Sequence, residues 1–166
     1  MDQYKNLLFL DFDGVCNSFK TGSYLTHEPS EYGVDPAIIK RLREICKEAD
    51  ARIVISSNWR RYAVDGEFRF DGKQYVNPLR FIYSTVGDLV VGTLPPDRHI
   101  SKSEALTLWF EDNSDFKGNY AILDDDRREG FQWSSKFVGN FWLVDAEFGV
   151  TEEIKGQVIR HLKRLD

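Results

Sequence analysis

The stretch Leu7–Gly14, LLFLDFDG, places two acidic residues directly after a run of apolar ones. Continuously apolar residues predict a short strand over Leu7–Phe12 that is buried on both faces, as in parallel sheets. Asp11 and Asp13 end this strand, and the following glycine permits a sharp turn. In sheets with helices on both faces, ligands bind beyond the carboxyl ends of the strands. The stretch therefore predicts a sheet whose chemistry lies at the end of its first strand.

The bulk properties predict one ordinary globular domain. The chain has 166 residues, and no linker, repeat or low-complexity tract divides them, so we expect a single domain over 1–166. The net charge of −5 argues against broad, non-specific nucleic-acid binding but leaves room for a local basic patch. Cys16 and Cys46 form no paired motif, which favours a reduced, cytoplasmic protein. The sequence shows neither a signal peptide nor an apolar stretch long enough to span a membrane.

Strands alternate with helices along the chain, which predicts an α/β fold of Rossmann type. We expect a central, mostly parallel five-stranded sheet with helices on both faces. The predicted strands are Leu7–Phe12, Arg52–Ile55, Leu89–Val91 and parts of NYAILDDD and NFWLVD. The predicted helices are Ala37–Ala49 after the N-cap Asp35, Leu79–Val86, a helix from the capping box of Ser101 and Glu104 to about Phe110, and a last helix capped by Thr151.

Residues with reactive or charged side chains follow three of these strands. Because parallel strands end at the same edge of a sheet, we expect their side chains to meet there. They are Asp11 and Asp13 after the first strand, Ser56 after the second, Asp124, Asp125 and Asp126 after the fourth, and Lys102 at the start of the preceding helix.

This set of side chains suits phosphoryl transfer. Two acidic clusters at neighbouring strand ends repel each other unless a cation lies between them, and oxygen ligands with substrate phosphate suit Mg²⁺. A carboxylate can act as a nucleophile and form an aspartyl phosphate, while a second one protonates the leaving group and later activates water. A metal ion and a lysine would neutralise the charge of the transferred phosphoryl group.

The stretches FLDFDGV, VISS and AILDDD, with Lys102 between the last two, resemble the four motifs of the haloacid dehalogenase (HAD) superfamily of phosphatases in their order. The resemblance extends from Leu7 to about Asp145. The runs SSNWR and LDDDR are further similar to the phosphatase domains of nucleic-acid repair enzymes, including polynucleotide kinase-phosphatase. The resemblance implies a HAD fold.

The resemblance also implies residue roles. Asp11 would be the nucleophile and a metal ligand, and Asp13 the general acid and base, with its backbone carbonyl facing the metal. Lys102 would pair with the phosphate and with Asp11. For the acidic run, we expect Asp125 to be the metal ligand, Asp124 to be the second choice, and Asp126 to take the role if the motif is shifted by one residue.

For the phosphate itself, the resemblance implies a hydrogen bond from Ser56, with Ser57 as the alternative. An arginine shortly after this motif can clamp a phosphate by two parallel hydrogen bonds, and here it would be Arg60. The other reading of Arg60 is a solvated surface residue. Trp59 and Trp133 are interpreted as core residues, with base stacking as the alternative.

The superfamily carries specificity caps in two insertions, and neither has room for a large cap in this sequence. Between Gly14 and the second strand only about twenty residues remain once the helix is subtracted, too few for a stable domain. The second span, from Ser56 to Lys102, is needed largely for a helix and a strand. We therefore predict an open site, although the Asp65–Asn77 segment, interpreted as a hairpin or loop, could act as a lid.

Together, these observations predict a Mg²⁺-dependent phosphomonoesterase that acts through an aspartyl phosphate on nucleic-acid or nucleotide phosphate ends. The alternatives are a phosphatase of a small phosphorylated metabolite, phosphoryl transfer to another acceptor, and a non-catalytic binding or regulatory module with the same fold.

Overall fold

The computed structural model describes residues 4–21, 33–62, 67–70, 73–76, 79–96, 99–129 and 135–164. The strands are β1 Asn6–Leu10, β2 Ala51–Ile55, β3 Glu67–Phe70, β4 Lys73–Val76, β5 Val90–Thr93, β6 Asn119–Asp124 and β7 Phe141–Leu143. The α-helices are α1 Pro36–Glu48, α2 Leu79–Val86, α3 Lys102–Asp112 and α4 Glu152–Leu162.

Five strands form one parallel sheet in the order β5-β2-β1-β6-β7. The central strand β1 pairs in register with both neighbours, and Leu10 lies opposite Ile55 and Leu123. Backbone hydrogen bonds continue past the strand ends, from Ser56 N to Leu10 O at 2.9 Å and from Asp11 N to Leu123 O at 3.1 Å. The carboxyl ends of β1, β2 and β6 are therefore level, and the residues that follow them meet.

Hydrophobic cores cover both faces of the sheet, as predicted. Alternate residues of β1 point to opposite faces: Leu8 and Leu10 pack in the core that contains the buried residues of α1, α2 and α4. Leu7 and Phe9 pack on the other face against α3, where Trp109 meets the Phe9 ring edge-on at 5.1 Å. Burial on both faces explains why the β1 sequence is continuously apolar.

The helix starts follow the local signals in the sequence. The Asp35 carboxylate accepts hydrogen bonds from Ala37 N at 2.8 Å and Ile38 N at 3.4 Å, with proline at the first helical position of α1. Ser101 and Glu104 form the predicted capping box of α3. The capping box fixes the first turn of α3. It therefore fixes the backbone position from which the side chain of Lys102, the first residue of the helix, extends.

Several predicted boundaries need correction. Strand β1 ends at Leu10, two residues earlier than predicted, because a turn begins after Asp11. The third predicted strand runs over Val90–Thr93 instead of Leu89–Val91, since Gly87–Leu89 forms a 3₁₀ turn.

The hairpin predicted within Asp65–Asn77 is confirmed as the antiparallel pair β3 and β4. The rest of that segment, with the lid assigned to it, lies outside the described residues, as does Trp133. The described part of the chain contains no large cap, and none of its helices is long and apolar enough to cross a membrane.

We expect Asp35→Ala to lower the free energy of unfolding by about 1 kcal/mol, because the first backbone N–H groups of α1 lose their acceptor. Urea denaturation monitored by circular dichroism measures the change. The matched control is Asp35→Asn, which keeps a side-chain acceptor and should stay within about 0.5 kcal/mol of wild type. An equal loss in both variants would contradict the capping role.

Candidate active site

The chain turns sharply after β1 at Gly14, which has a φ of 69°. Its backbone N–H donates to Asn17 Oδ1 at 2.8 Å. A Cβ atom at this position would overlap the Asp125 carboxylate and lie 2.8 Å from Ala146 Cβ. Glycine is therefore required both for the backbone conformation and for the close approach of the acidic residue after β6.

Lys102 forms two buried ion pairs at the carboxyl edge of the sheet. Its Nζ lies 2.9 Å from Asp11 Oδ2 and 2.6 Å from Asp124 Oδ2, and the three residues are only 2%, 5% and 0% exposed. Burial by itself would lower the pKa of Lys102, but the two carboxylates outweigh burial and raise it above its ordinary value. The lysine is therefore a cation that joins α3 to the ends of β1 and β6.

The Asp13 carboxyl group has hydrogen-bonding contacts with the side chains of Trp59 and Asn17. The indole Nε1 donates to Asp13 Oδ2 at 2.6 Å. Burial raises the pKa of Asp13 to about 6, with the negative charge of Asp11 adding to the shift and the Trp59 hydrogen bond opposing it. A carboxyl group with this pKa can exist in either protonation state near neutral pH, as a general acid and base requires.

The three consecutive acids after β6 have different environments. Asp124 Oδ2 meets Lys102, and its Oδ1 accepts the backbone N–H of Asp126 at 2.9 Å. Asp126 accepts hydrogen bonds from three groups of Arg128, Nη2 at 2.7 Å, the backbone N–H at 2.8 Å and Nε at 2.9 Å, and these bonds lower its pKa. Asp125 lines a cavity, and its pKa is raised to about 6 by burial and by the charge of Asp11.

A divalent cation fits between the acids of β1 and β6. Carboxylate oxygens of Asp11, Asp124 and Asp125 all lie within 4.8 Å of one another. These are oxygen donors, which hard cations such as Mg²⁺ prefer. Both oxygens of Asp124 are engaged by hydrogen bonds, so Asp11 and Asp125 are better placed to bind an ion on the cavity side.

The turn after β2 separates the two candidate serines. Ser57 lines the cavity, whereas Ser56 is fully buried, and its Oγ has no hydrogen-bond partner among the described residues. The prediction ranked Ser56 first, but the geometry favours Ser57 for contact with a substrate. Ser56 continues the pairing of β2 with β1 and is buried there, whereas Ser57 lies in the turn that follows. The sequence alone does not show which of the two serines is buried.

Arg60 is not among the residues that line the cavity, where the prediction placed it beside a phosphate. Its side chain is buried, with Nη1 donating to Ser56 O at 2.9 Å and to Ser57 O at 3.0 Å, and Nε donating to Pro95 O at 3.0 Å. This burial contradicts the alternative of a solvated surface residue. Arg60 instead satisfies backbone carbonyls where β2 ends, so we correct its role to the positioning of this turn.

The cavity at this edge of the sheet measures about 410 Å³ and includes six of the residues that the sequence indicated for the site. Its walls also contain residues whose place in the site the sequence did not predict: Asn58, Trp59 and Arg128. Trp59 packs partly against the core, in line with its interpretation as a core residue, but it also lines the cavity, and its position directly after the second motif could have indicated this. The lining residues are Asp11, Asp13, Ser57, Asn58, Trp59, Lys102, Asp125, Asp126 and Arg128.

The parallel sheet, the Asp-x-Asp-Gly turn after its central strand and the buried lysine between two strand ends define a domain of the HAD class. The chain belongs to the family described as the HAD domain in Swiss Army Knife RNA repair proteins, which it matches over residues 7–154. This match confirms the resemblance seen in the motifs. No match was found among curated proteins or among solved structures.

The raised pKa values of Asp13 and Asp125 predict how the metal-free protein responds to pH. Each value is about 6 in the folded state against an ordinary value of 3.8. The folded state therefore binds protons more tightly than the unfolded state. The stability associated with these groups is present below about pH 4 and is lost as the pH rises through about 6.

We expect wild type to lose about 1–2 kcal/mol more stability between pH 4 and pH 7 than Asp125→Asn does, measured by urea denaturation with EDTA present. The effect is smaller than a fully buried carboxyl would give, because solvent screens a partly exposed group. Asp112→Asn, on the exposed end of α3, should retain the wild-type dependence. Parallel curves for wild type and Asp125→Asn would contradict the prediction.

Proposed function

We propose that the protein is a Mg²⁺-dependent phosphomonoesterase that removes terminal phosphates from nucleic acid through an aspartyl-phosphate intermediate. The observation that carries this proposal is the contact of Lys102 with Asp11 and Asp124 beside a cavity lined by Asp13 and Asp125. It supports a nucleophile, a general acid and a cation site within one crevice. Membership in a HAD family of RNA repair proteins supports the same reaction class.

In the proposed reaction, an Asp11 carboxylate oxygen attacks phosphorus, and the bond from phosphorus to the ester oxygen breaks. The departing alkoxide receives the proton of Asp13, which leaves the product alcohol and an aspartyl phosphate. The Asp13 carboxylate then accepts a proton from water as that water attacks the phosphoryl group, and Asp11 and inorganic phosphate are released. The cycle returns both residues to their starting protonation states.

The remaining residues stabilise charge. Mg²⁺, held by Asp11, Asp125 and the Asp13 backbone carbonyl, would supply neutralisation of the phosphoryl oxygens. Lys102 orients Asp11 and places a positive charge beside it. The Ser57 hydroxyl is placed to donate to a phosphate oxygen, and Ser56 lies beneath it with an unsatisfied hydroxyl. The intact set of acids argues against a purely non-catalytic binding module.

The substrate class rests on the family and on the shape of the site. The family description names RNA repair, and the described residues include no large cap that would enclose a small metabolite. An uncovered crevice admits the end of a polymer, whose further phosphates lie outside the cavity. At the cavity wall, the Arg128 side chain is 90% exposed while it pairs with Asp126, so it is accessible to such phosphates.

We expect phosphatase activity to require Mg²⁺ and to fall at least a hundredfold in Asp11→Asn, because the substitution keeps the shape of the side chain but removes the nucleophile and a ligand charge. Release of inorganic phosphate from p-nitrophenyl phosphate, with Mg²⁺ and with EDTA, measures both effects. The matched control Asp112→Asn should retain wild-type turnover. Near-normal turnover by Asp11→Asn would remove Asp11 from the mechanism.

We expect kcat/KM to be higher for a terminally phosphorylated RNA oligonucleotide than for the matching mononucleotide, with the advantage shrinking as salt rises, because additional phosphates displace counterions. The panel includes oligonucleotides phosphorylated at either end. Arg128→Gln should reduce the advantage, and Arg160→Gln, on the exposed surface of α4, should not. A preference for mononucleotides or sugar phosphates, with little effect of salt, would favour the metabolite phosphatase instead.

A further inference from the structure

We propose that Trp59 is a positioning residue that fixes the Asp13 carboxyl group for proton donation to the leaving group. The inference rests on the phosphomonoesterase reaction proposed above and adds a residue to it. Its basis is the hydrogen bond of 2.6 Å from the indole Nε1 to Asp13 Oδ2, between residues 46 positions apart in the sequence. Both side chains line the same cavity.

The turn that carries Trp59 is fixed by hydrogen bonds that involve Ser57 and Arg60. It is a 3₁₀ turn over Asn58–Tyr62, in which Trp59 N donates to Ser57 Oγ at 3.3 Å and Arg60 N donates to Ser57 O at 3.1 Å. The buried Arg60 guanidinium binds carbonyls at the end of β2 and at Pro95. The indole ring is partly buried against the core beneath the sheet edge. Its orientation is therefore set by packing before any substrate binds.

The chemistry of the indole decides which oxygen of Asp13 carries the proton. An indole N–H donates a hydrogen bond but accepts none. When Asp13 is protonated, Oδ2 already receives the indole hydrogen, so the acidic proton lies on Oδ1. The hydrogen bond thus distinguishes the two oxygens, Oδ1 being buried without a hydrogen-bond partner among the described residues, and it limits rotation of the carboxyl group. A hydrophobic ring of similar shape would pack in the same place but would select neither oxygen.

The kinetic test compares leaving groups in Trp59→Phe, which keeps an aromatic ring and removes the N–H. For glycerol phosphate, whose alkoxide needs a proton, we expect kcat to fall about tenfold with KM within about twofold of wild type. This is part of the 10²–10⁴-fold that general acid catalysis supplies. For p-nitrophenyl phosphate, whose leaving group departs without a proton, the loss should stay below about twofold. Asp13→Asn should show the same pattern with a larger loss on glycerol phosphate.

The matched control is Trp142→Phe. It also removes an indole hydrogen bond, from Nε1 to Gln157 Oε1 at 3.1 Å, but that bond joins β7 to α4 outside the cavity. We expect this variant to change the two substrates equally, if at all. Equal losses on both substrates in Trp59→Phe would overturn the positioning role, since a purely structural residue would affect both reactions alike.

A second measurement does not depend on activity. In a ¹⁵N-labelled, metal-free protein, the indole resonance of Trp59, assigned by its absence in Trp59→Phe, should lie downfield and shift upfield in Asp13→Ala. The Trp142 indole resonance should stay in place. An unchanged Trp59 resonance would overturn the contact. A wild-type protein without phosphatase activity would overturn the proposed function, and with it the positioning role of Trp59, even where the resonance shifts as expected.

Discussion

The structure of the site depends on one buried cation between two buried carboxylates. Lys102, at the start of α3, joins Asp11 after β1 to Asp124 after β6, and each of these residues would be costly to bury alone. Removal of one partner from such a cluster typically costs about 3–5 kcal/mol, because a buried charge remains uncompensated. The contact therefore fixes the helix and two strand ends relative to one another, and it orients the carboxylate that we propose as nucleophile.

Even with this contact, carboxyl groups outnumber cationic side chains along the crevice in the part of the chain that the structure describes. Among the described residues, Asp13 and Asp125 stand beside the two carboxylates that Lys102 binds, and burial together with the negative charge of Asp11 raises the pKa of both to about 6. This excess negative charge destabilises the metal-free fold above that pH, and it is also what a divalent cation would neutralise. A site that lowers stability in the absence of its ligand is common where function sets the local sequence.

The backbone around the crevice is held in place in part by Arg60, a residue that does not line the cavity. The carbonyls where β2 ends need donors, and the buried Arg60 supplies them, so the residue that the motif suggested as a phosphate clamp holds the turn instead. That turn carries Ser57 into the cavity and Trp59 onto Asp13. The turn after β2 and the loop after β1 therefore meet through the hydrogen bond between Trp59 and Asp13.

The sequence by itself determined the fold class, the helix starts at Asp35 and Ser101 and the strands that end in acids, because these depend on apolar runs and on hydrogen bonds within about four residues. It also placed Asp11, Asp13 and Lys102 at one edge of the sheet. Only the tertiary structure decided that Ser57 faces the cavity, that Arg60 is buried and that Trp59 binds Asp13. These outcomes depend on strand direction, register and side-chain rotamers between distant segments, which no local pattern encodes.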